Sequence, residues 1–104
     1  MSTLEVAGTA VAVTEEGFLT DHTQWTREVA ETIAAEEGIS LTDRHWEVIE
    51  FVRKFYEENG ESPTLRKISK QAGVETKELY QLFPQGPGKK VARISGTPKP
   101  EGCV

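Results

Sequence analysis

The stretch Thr42-Asp43-Arg44-His45-Trp46-Glu47-Val48-Ile49-Glu50-Phe51-Val52-Arg53-Lys54-Phe55-Tyr56-Glu57-Glu58-Asn59-Gly60 decides the reading of the fold. Trp46, Ile49, Val52, Phe55 and Tyr56 recur at helical spacing and make one apolar stripe, which is stable only where other elements cover it. Thr42 stands where a hydroxyl can accept from the free amides of a first turn, and Asn59-Gly60 supplies the stop. The spacing therefore predicts a long amphipathic helix at the centre of the molecule, with its aromatic residues in the core.

Working outward toward the N-terminus, Trp25, Val29 and Ile33 with Ala30 and Ala34 predict a second helix over about residues 23–37, stopped by Gly38. Residues 14–19, with Gly17, read as a loop that sets Phe18 and Leu19 against the core. Leu4-Glu5-Val6 and Val11-Ala12-Val13 alternate around Ala7-Gly8-Thr9, which predicts a short β-hairpin. Toward the C-terminus, Ser62-Pro63 opens a short helix through Ala72, with Pro63 in its first turn, Leu65 and Ile68 inward and Gly73 ending it. Thr76 opens another that carries Leu79, Tyr80, Leu82 and Phe83 up to Pro84. Gln85-Gly86-Pro87-Gly88 reads as a turn. Residues 89–95 make a last helical turn or two, with Val91 and Ile94 apolar and Lys89, Lys90 and Arg93 exposed. The fold class is mostly α: a small helical bundle with an N-terminal β-hairpin, a helix-turn-helix-like unit and a mobile C-terminal arm. Residues 1–96 form the domain and residues 97–104 the arm.

A chain of 104 residues with 37% hydrophobic and 28% charged residues is one ordinary globular domain. It has no apolar run near the roughly 20 residues of a membrane span, and Met1-Ser2-Thr3 opens no signal peptide. A cytoplasmic setting without membrane contact is expected. The net charge of -5 hides an asymmetry: residues 1–61 carry a net -10 and residues 62–93 a net +5. The basic half can attract an anion, a nucleic acid or an acidic protein.

Thr64 to Tyr80 has the helix-turn-helix pattern, with Ala72 small enough for close packing, Gly73 for the turn, and Val74 and Leu79 inward. It resembles the DNA-reading segment of tetracycline-repressor-like regulators. Two features tell against DNA as a partner. The second helix offers only Lys77 and Gln81 as long donors, amid Glu75 and Glu78, and the pI of about 5.1 is far from a basic footprint. Metal and hydrolytic chemistry find no motif: His22 and His45 lie in different elements, and the adjacent pairs Glu36-Glu37 and Glu57-Glu58 diverge on their helices. Gly86-Pro87-Gly88-Lys89-Lys90 is like a phosphate loop in composition only. No cofactor and no metal are expected.

The chemistry concentrates in Thr97-Pro98-Lys99-Pro100-Glu101-Gly102-Cys103-Val104, which holds the chain's single cysteine at its penultimate position. Pro98 and Pro100 bar helix and central strand, and Gly96 and Gly102 act as hinges. Eight extended residues reach at most about 26 Å. One cysteine excludes an internal disulfide. Sulfur reacts as thiolate, which nearby cations favour and the Val104 carboxylate disfavours. Lys89, Lys90 and Arg93, at the root of the arm, are candidates for that support.

Three stretches resemble the DsrC/TusE sulfur-relay family: Arg44 to Tyr56, Leu82-Phe83-Pro84-Gln85-Gly86-Pro87, and Arg93 to Val104, whose Pro-Lys-Pro-x-Gly-Cys-Val ending is the specific part. The resemblance implies the helical fold with hairpin and arm. It implies that Cys103 accepts sulfur as a persulfide and passes it on, between an upstream sulfurtransferase and a downstream acceptor enzyme, with tRNA as a partner through that acceptor. Members that work with dissimilatory sulfite reductase carry a second cysteine, and here that position is Ala92. The departure favours a one-cysteine carrier, as in tRNA thiolation, with sulfur-oxidation metabolism the other relay setting, over the sulfite-reductase role; whether such a carrier counts as an enzyme is partly naming. The rival classes are a helix-turn-helix regulator and a protein that keeps the fold for a structural contact.

Overall fold

The computed structural model of the chain describes residues 2–6 and 8–98. The expectations for Pro100, Gly102 and Cys103 lie outside the described residues. Strands β1 (Ser2–Val6) and β2 (Thr9–Val13) form an antiparallel hairpin, followed by a short 3-10 turn at His22–Gln24 and by α1 (Arg27–Glu36), α2 (Asp43–Asn59), α3 (Leu65–Ala72), α4 (Thr76–Leu82) and α5 (Pro87–Ser95). In the hairpin Leu4 faces Val11 and Val6 faces Thr9. Such a ribbon is marginal alone. It is held because Val6, Val11 and Val13 are buried and Val13 bridges to Leu19, which brings Phe18 and Leu19 into the core as expected.

The central helix is α2, and Ile49, Val52 and Phe55 of the expected stripe are buried, while the column takes in His45 and Val48 in place of Trp46 and Tyr56, which sit at the margin. The cause is His45. Its Nδ1 accepts from the Thr42 amide at 3.1 Å and its Nε2 reaches the Leu82 carbonyl at 2.8 Å, with the ring edge-on to Phe83. A polar ring with both nitrogens satisfied can be buried at little cost, and it ties the start of α2 to the end of α4. Gly60 closes α2 at φ +74.

Three expected boundaries move for local reasons. The helix over residues 23–37 is broken at Trp25, because Asp21 accepts from the Thr23 amide at 2.9 Å to cap the 3-10 turn, and Thr26 accepts from the Val29 amide at 3.2 Å to start α1 anew. Helix α3 starts after Pro63, at the Thr64 cap, whose hydroxyl accepts from the Lys67 amide. The turn at residues 85–88 shortens to Gln85 and Gly86, both at positive φ. Pro87 is then the first residue of α5, where its missing N–H costs nothing. As a result α5 packs against both α1 and α2, burying Val91, Ala92, Ile94 and Ser95.

Helices α3 and α4 make the expected helix-turn-helix-like unit, with Gly73 at φ +74 and Val74 and Leu79 buried. Arg44 of α2 grips Glu78 of α4 through Nε at 2.9 Å and Nη2 at 3.1 Å, so one of the few charges on α4 is already paired.

Candidate functional site

The site develops around α5, because that helix carries both the cations and the start of the arm. At its C-terminal end Gly96 takes a left-handed conformation, φ +73. The Gly96 amide donates to the Arg93 carbonyl at 3.2 Å and the Thr97 amide to the Ala92 carbonyl at 3.0 Å, which returns the chain across the helix end. Helix ends leave carbonyls without partners, and here two side chains from elsewhere supply them. Trp25 Nε1 donates to the Ile94 carbonyl at 2.8 Å, and Arg53 Nη1 donates to the Ser95 carbonyl at 2.8 Å. The Arg53 guanidinium also lies 4.2 Å from the Trp25 ring centroid and reaches the His22 carbonyl at 3.3 Å. A cation at this end is favoured by the helix dipole. Burial pulls the Arg53 guanidinium below its ordinary pKa, and Glu57 partly counters that.

The fastening continues past the helix. Thr97 is fully buried, and Ser62 Oγ donates to the Pro98 carbonyl at 2.5 Å. Gly96 itself is required by space: a Cβ there would lie 2.5 Å from Trp25 Cδ1. Thr97, assigned from sequence to the arm, is thus packed with the domain. Ala92, where the resemblance locates a second cysteine, lies buried on α5.

The cations run along another side of α5, Lys89 and Lys90 in its first turn and Arg93 in its last. Of the three expected to be exposed, only Lys89 is; Lys90 and Arg93 are largely covered. Because the helix begins at Pro87, Lys90 and Arg93 fall one turn apart on the face toward the end of α1. There Glu37 takes both, Lys90 at 3.5 Å and Arg93 through Nη1. Lys90 also donates to the Pro84 carbonyl at 2.6 Å. Lys89 approaches Glu16 at 4.0 Å. Gly17 lies against the Arg93 guanidinium, so that a Cβ would meet Nη2 at 2.6 Å. Glu16, Phe18, Gln85, Gly86 and the three cations line an open depression of about 340 Å³.

The structure brings the expected Lys90 and Arg93 together on Glu37 and joins to the expected Gly96 and Pro98 three side chains the sequence did not single out for the site, Trp25, Arg53 and Ser62. In sequence Glu37 is one of a diverging pair, and Arg53 only one of the cations outnumbered in residues 1–61. Among the described residues no group of three or more His, Cys, Asp or Glu could hold a metal, and no helix is long and apolar enough to cross a membrane.

Comparison with known proteins extends through the arm. The family model described as "DsrC like protein" matches residues 5–104. The chain is 42% identical to "Sulfurtransferase TusE" of Pectobacterium atrosepticum, over 97% of this chain and 99% of that one. It is 40% identical to "Sulfite reductase, dissimilatory-type subunit gamma" of Nitratidesulfovibrio vulgaris, over the full length of both. The solution structure of DsrC from Allochromatium vinosum superposes with a TM-score of 0.87 at 40% identity, covering 99% of this chain and 98% of that one.

Proposed function

The chain belongs to the DsrC-like family, and from that membership we propose that it is a sulfur carrier in a relay, loading and unloading sulfur at Cys103. The observation that carries the reading is that the similarity to a sulfurtransferase of the relay type is full-length and the family match runs through Cys103. None of the similar proteins reported above is named as a DNA-binding regulator, so the helix-turn-helix-like unit is read as packing.

The transfer balances without an oxidant. The Cys103 thiolate attacks the terminal sulfur of a donor protein's persulfide; a new S–S bond forms at Cys103, the donor's S–S bond breaks, and the donor leaves as thiolate and takes up a proton. The acceptor's thiolate then repeats the step on Cys103. The sulfur atom moves at constant oxidation level. Lys89, Lys90 and Arg93 are proposed to favour the thiolate when the arm folds back, and Glu37 tempers them. The delivering arm follows Thr97, with Gly96 and Pro98 at its root and Pro100 and Gly102 shaping it. The partners are an upstream sulfurtransferase and a downstream acceptor enzyme in the cytoplasm, where thiols stay reduced, with tRNA reached through the acceptor.

The two named relatives leave the pathway open, since one is a TusE and the other a sulfite-reductase subunit at similar identity. The cysteine count favours the first: a single thiol cannot close a disulfide within the chain. Intact-mass measurement after incubation with a cysteine desulfurase or sulfurtransferase and a sulfur source tests the carrier. A gain of about 32 Da, removed by reductant and missing from Cys103→Ser, is expected. An unchanged mass with several donors, while the thiol still alkylates, overturns it.

A further inference from the structure

The structure assigns to Arg53, Trp25 and Ser62 a positioning role: together they clamp the root of the arm and so set where the Cys103 thiol can go. For the transfer step that this clamp tunes, the inference rests on the carrier reading above. Three donors from three different places in the fold hold three carbonyls of one short stretch. Trp25, ahead of α1, holds that of Ile94; Arg53, in α2, holds that of Ser95; Ser62, in the α2–α3 connection, holds that of Pro98. Thr97, between them, is fully buried, and the Trp25 ring closes over Gly96. Arg53 and Ser62 stand outside the core cluster that includes Val29, Ile33, Ile49, Val52, Leu79, Phe83 and Ile94, and Trp25 packs against it from the side. Their common effect is on one thing, the line along which the chain departs.

The fixed path thus runs as far as the Pro98 carbonyl. Cys103 is five residues beyond it, a reach of about 17 Å, against about 23 Å if the chain were free from Gly96. A shorter tether raises the concentration of the thiol at a docked partner's sulfur roughly as the inverse three-halves power of its length. From seven residues to five that is about 1.7-fold, before the direction fixed by the clamp is counted. The three side chains touch neither sulfur nor partner and act through the backbone of the arm.

The native single cysteine makes the test direct. A nitroxide on Cys103 of the full chain broadens the amide signals it can reach, and the set of broadened amides is compared between wild type, Ser62→Ala and Arg53→Ala. In parallel, the rate of persulfide transfer to a fixed acceptor protein is compared with the rate of alkylation by iodoacetamide. Both variants are expected to broaden a wider set of amides and to lose up to about 1.7-fold in transfer with alkylation unchanged. A merely structural role would not separate those two rates. The proposal is overturned if a folded variant broadens the wild-type set, or if the set widens and transfer keeps its rate. Ser62→Ala removes one hydroxyl outside the core cluster, so it decides the matter even where Arg53→Ala fails to fold. Failure of the wild type itself to take up sulfur overturns the carrier reading instead, and the amide set then decides the clamp by itself.

Discussion

Along its side toward Glu37 α5 presents cations, from Lys90 to Arg93, whereas at its C-terminal end it presents carbonyls and meets Trp25 and Arg53. The first arrangement neutralises the charges that stand out in the sequence; the second recruits a charge that does not stand out at all. Conspicuous residues and controlling residues therefore separate along one helix of nine residues. The comparison teaches that a basic cluster next to a reactive segment has to be examined for its counter-ion before it is credited with chemistry. It also teaches that the path of a terminal segment starts from whatever fixes its first residues.

The two glycines that border these regions give the largest expected effect. Both are at positive φ, Gly17 at +90 and Gly96 at +73, and both have a side chain where a Cβ would go. Gly96 meets the Trp25 ring and its Cβ, which are held by a hydrogen bond and by stacking under Arg53. Gly17 meets the flexible tip of Arg93. Gly96→Ala should therefore cost about 3 kcal/mol, the sum of left-handed strain and overpacking. Gly17→Ala should cost about 1–2 kcal/mol, mostly the strain. Urea denaturation of both variants checks the order, and equal losses would mean that the Trp25 side is no more rigid than the Arg93 side.

Next in size is the Trp25 hydrogen bond. Trp25→Phe keeps an aromatic surface for Arg53 and leaves the Ile94 carbonyl without its donor, a loss of about 1–2 kcal/mol read by the same denaturation. Below it stands the charge balance along the Glu37 side of the helix. Glu37→Gln unmasks one positive charge, and for a thiolate about 10 Å away in water that amounts to about 0.4 kcal/mol, or about 0.3 pH unit. The midpoint of Cys103 alkylation against pH is expected to fall by that amount, and to rise in Arg93→Ala and Lys89→Ala. Midpoints that stay put in all three variants would reduce the cluster to a structural pairing and leave the arm root as the only part of α5 that bears on function.

Much of the fold was legible because its signals are local. The periodicity of residues 42–60, the stops at Gly38, Gly60 and Gly73, and the alternation in the hairpin all act within a few residues of themselves. What escaped needed a partner far away in sequence. Arg53 and Ser95 are 42 residues apart, Trp25 and Ile94 69, and Arg93 and Glu37 56. Nothing in a single chain pairs such residues in advance. His45 shows the intermediate case, since its bond to Thr42 is three residues long and foreseeable as a capping box, while its bond to Leu82 is not. At the site the sequence named Gly96 as a hinge, whereas the fold packs it under the Trp25 ring and holds the carbonyls on either side of it.

The smallest expected effect lies away from α5 and serves as its reference. The Arg44 guanidinium, by hydrogen bonding, holds the Glu78 carboxyl below its usual value of 4.5. A carboxyl whose pKa is lower folded than unfolded contributes stability that is present above about pH 4.5 and is lost as the pH falls through the folded value. The pair is exposed to solvent, so its share is slight and falls further with salt. Glu78→Gln should leave stability near neutral pH almost unchanged and make the decline below pH 4.5 a little shallower in an acid titration followed by circular dichroism. It should leave the Cys103 alkylation midpoint and the amides broadened by the nitroxide as they are in the wild type. A change in either would mean that the α2–α4 junction communicates with the arm, and the division of α5 into a neutralised side and a clamped end would have to be extended to the helix-turn-helix-like unit.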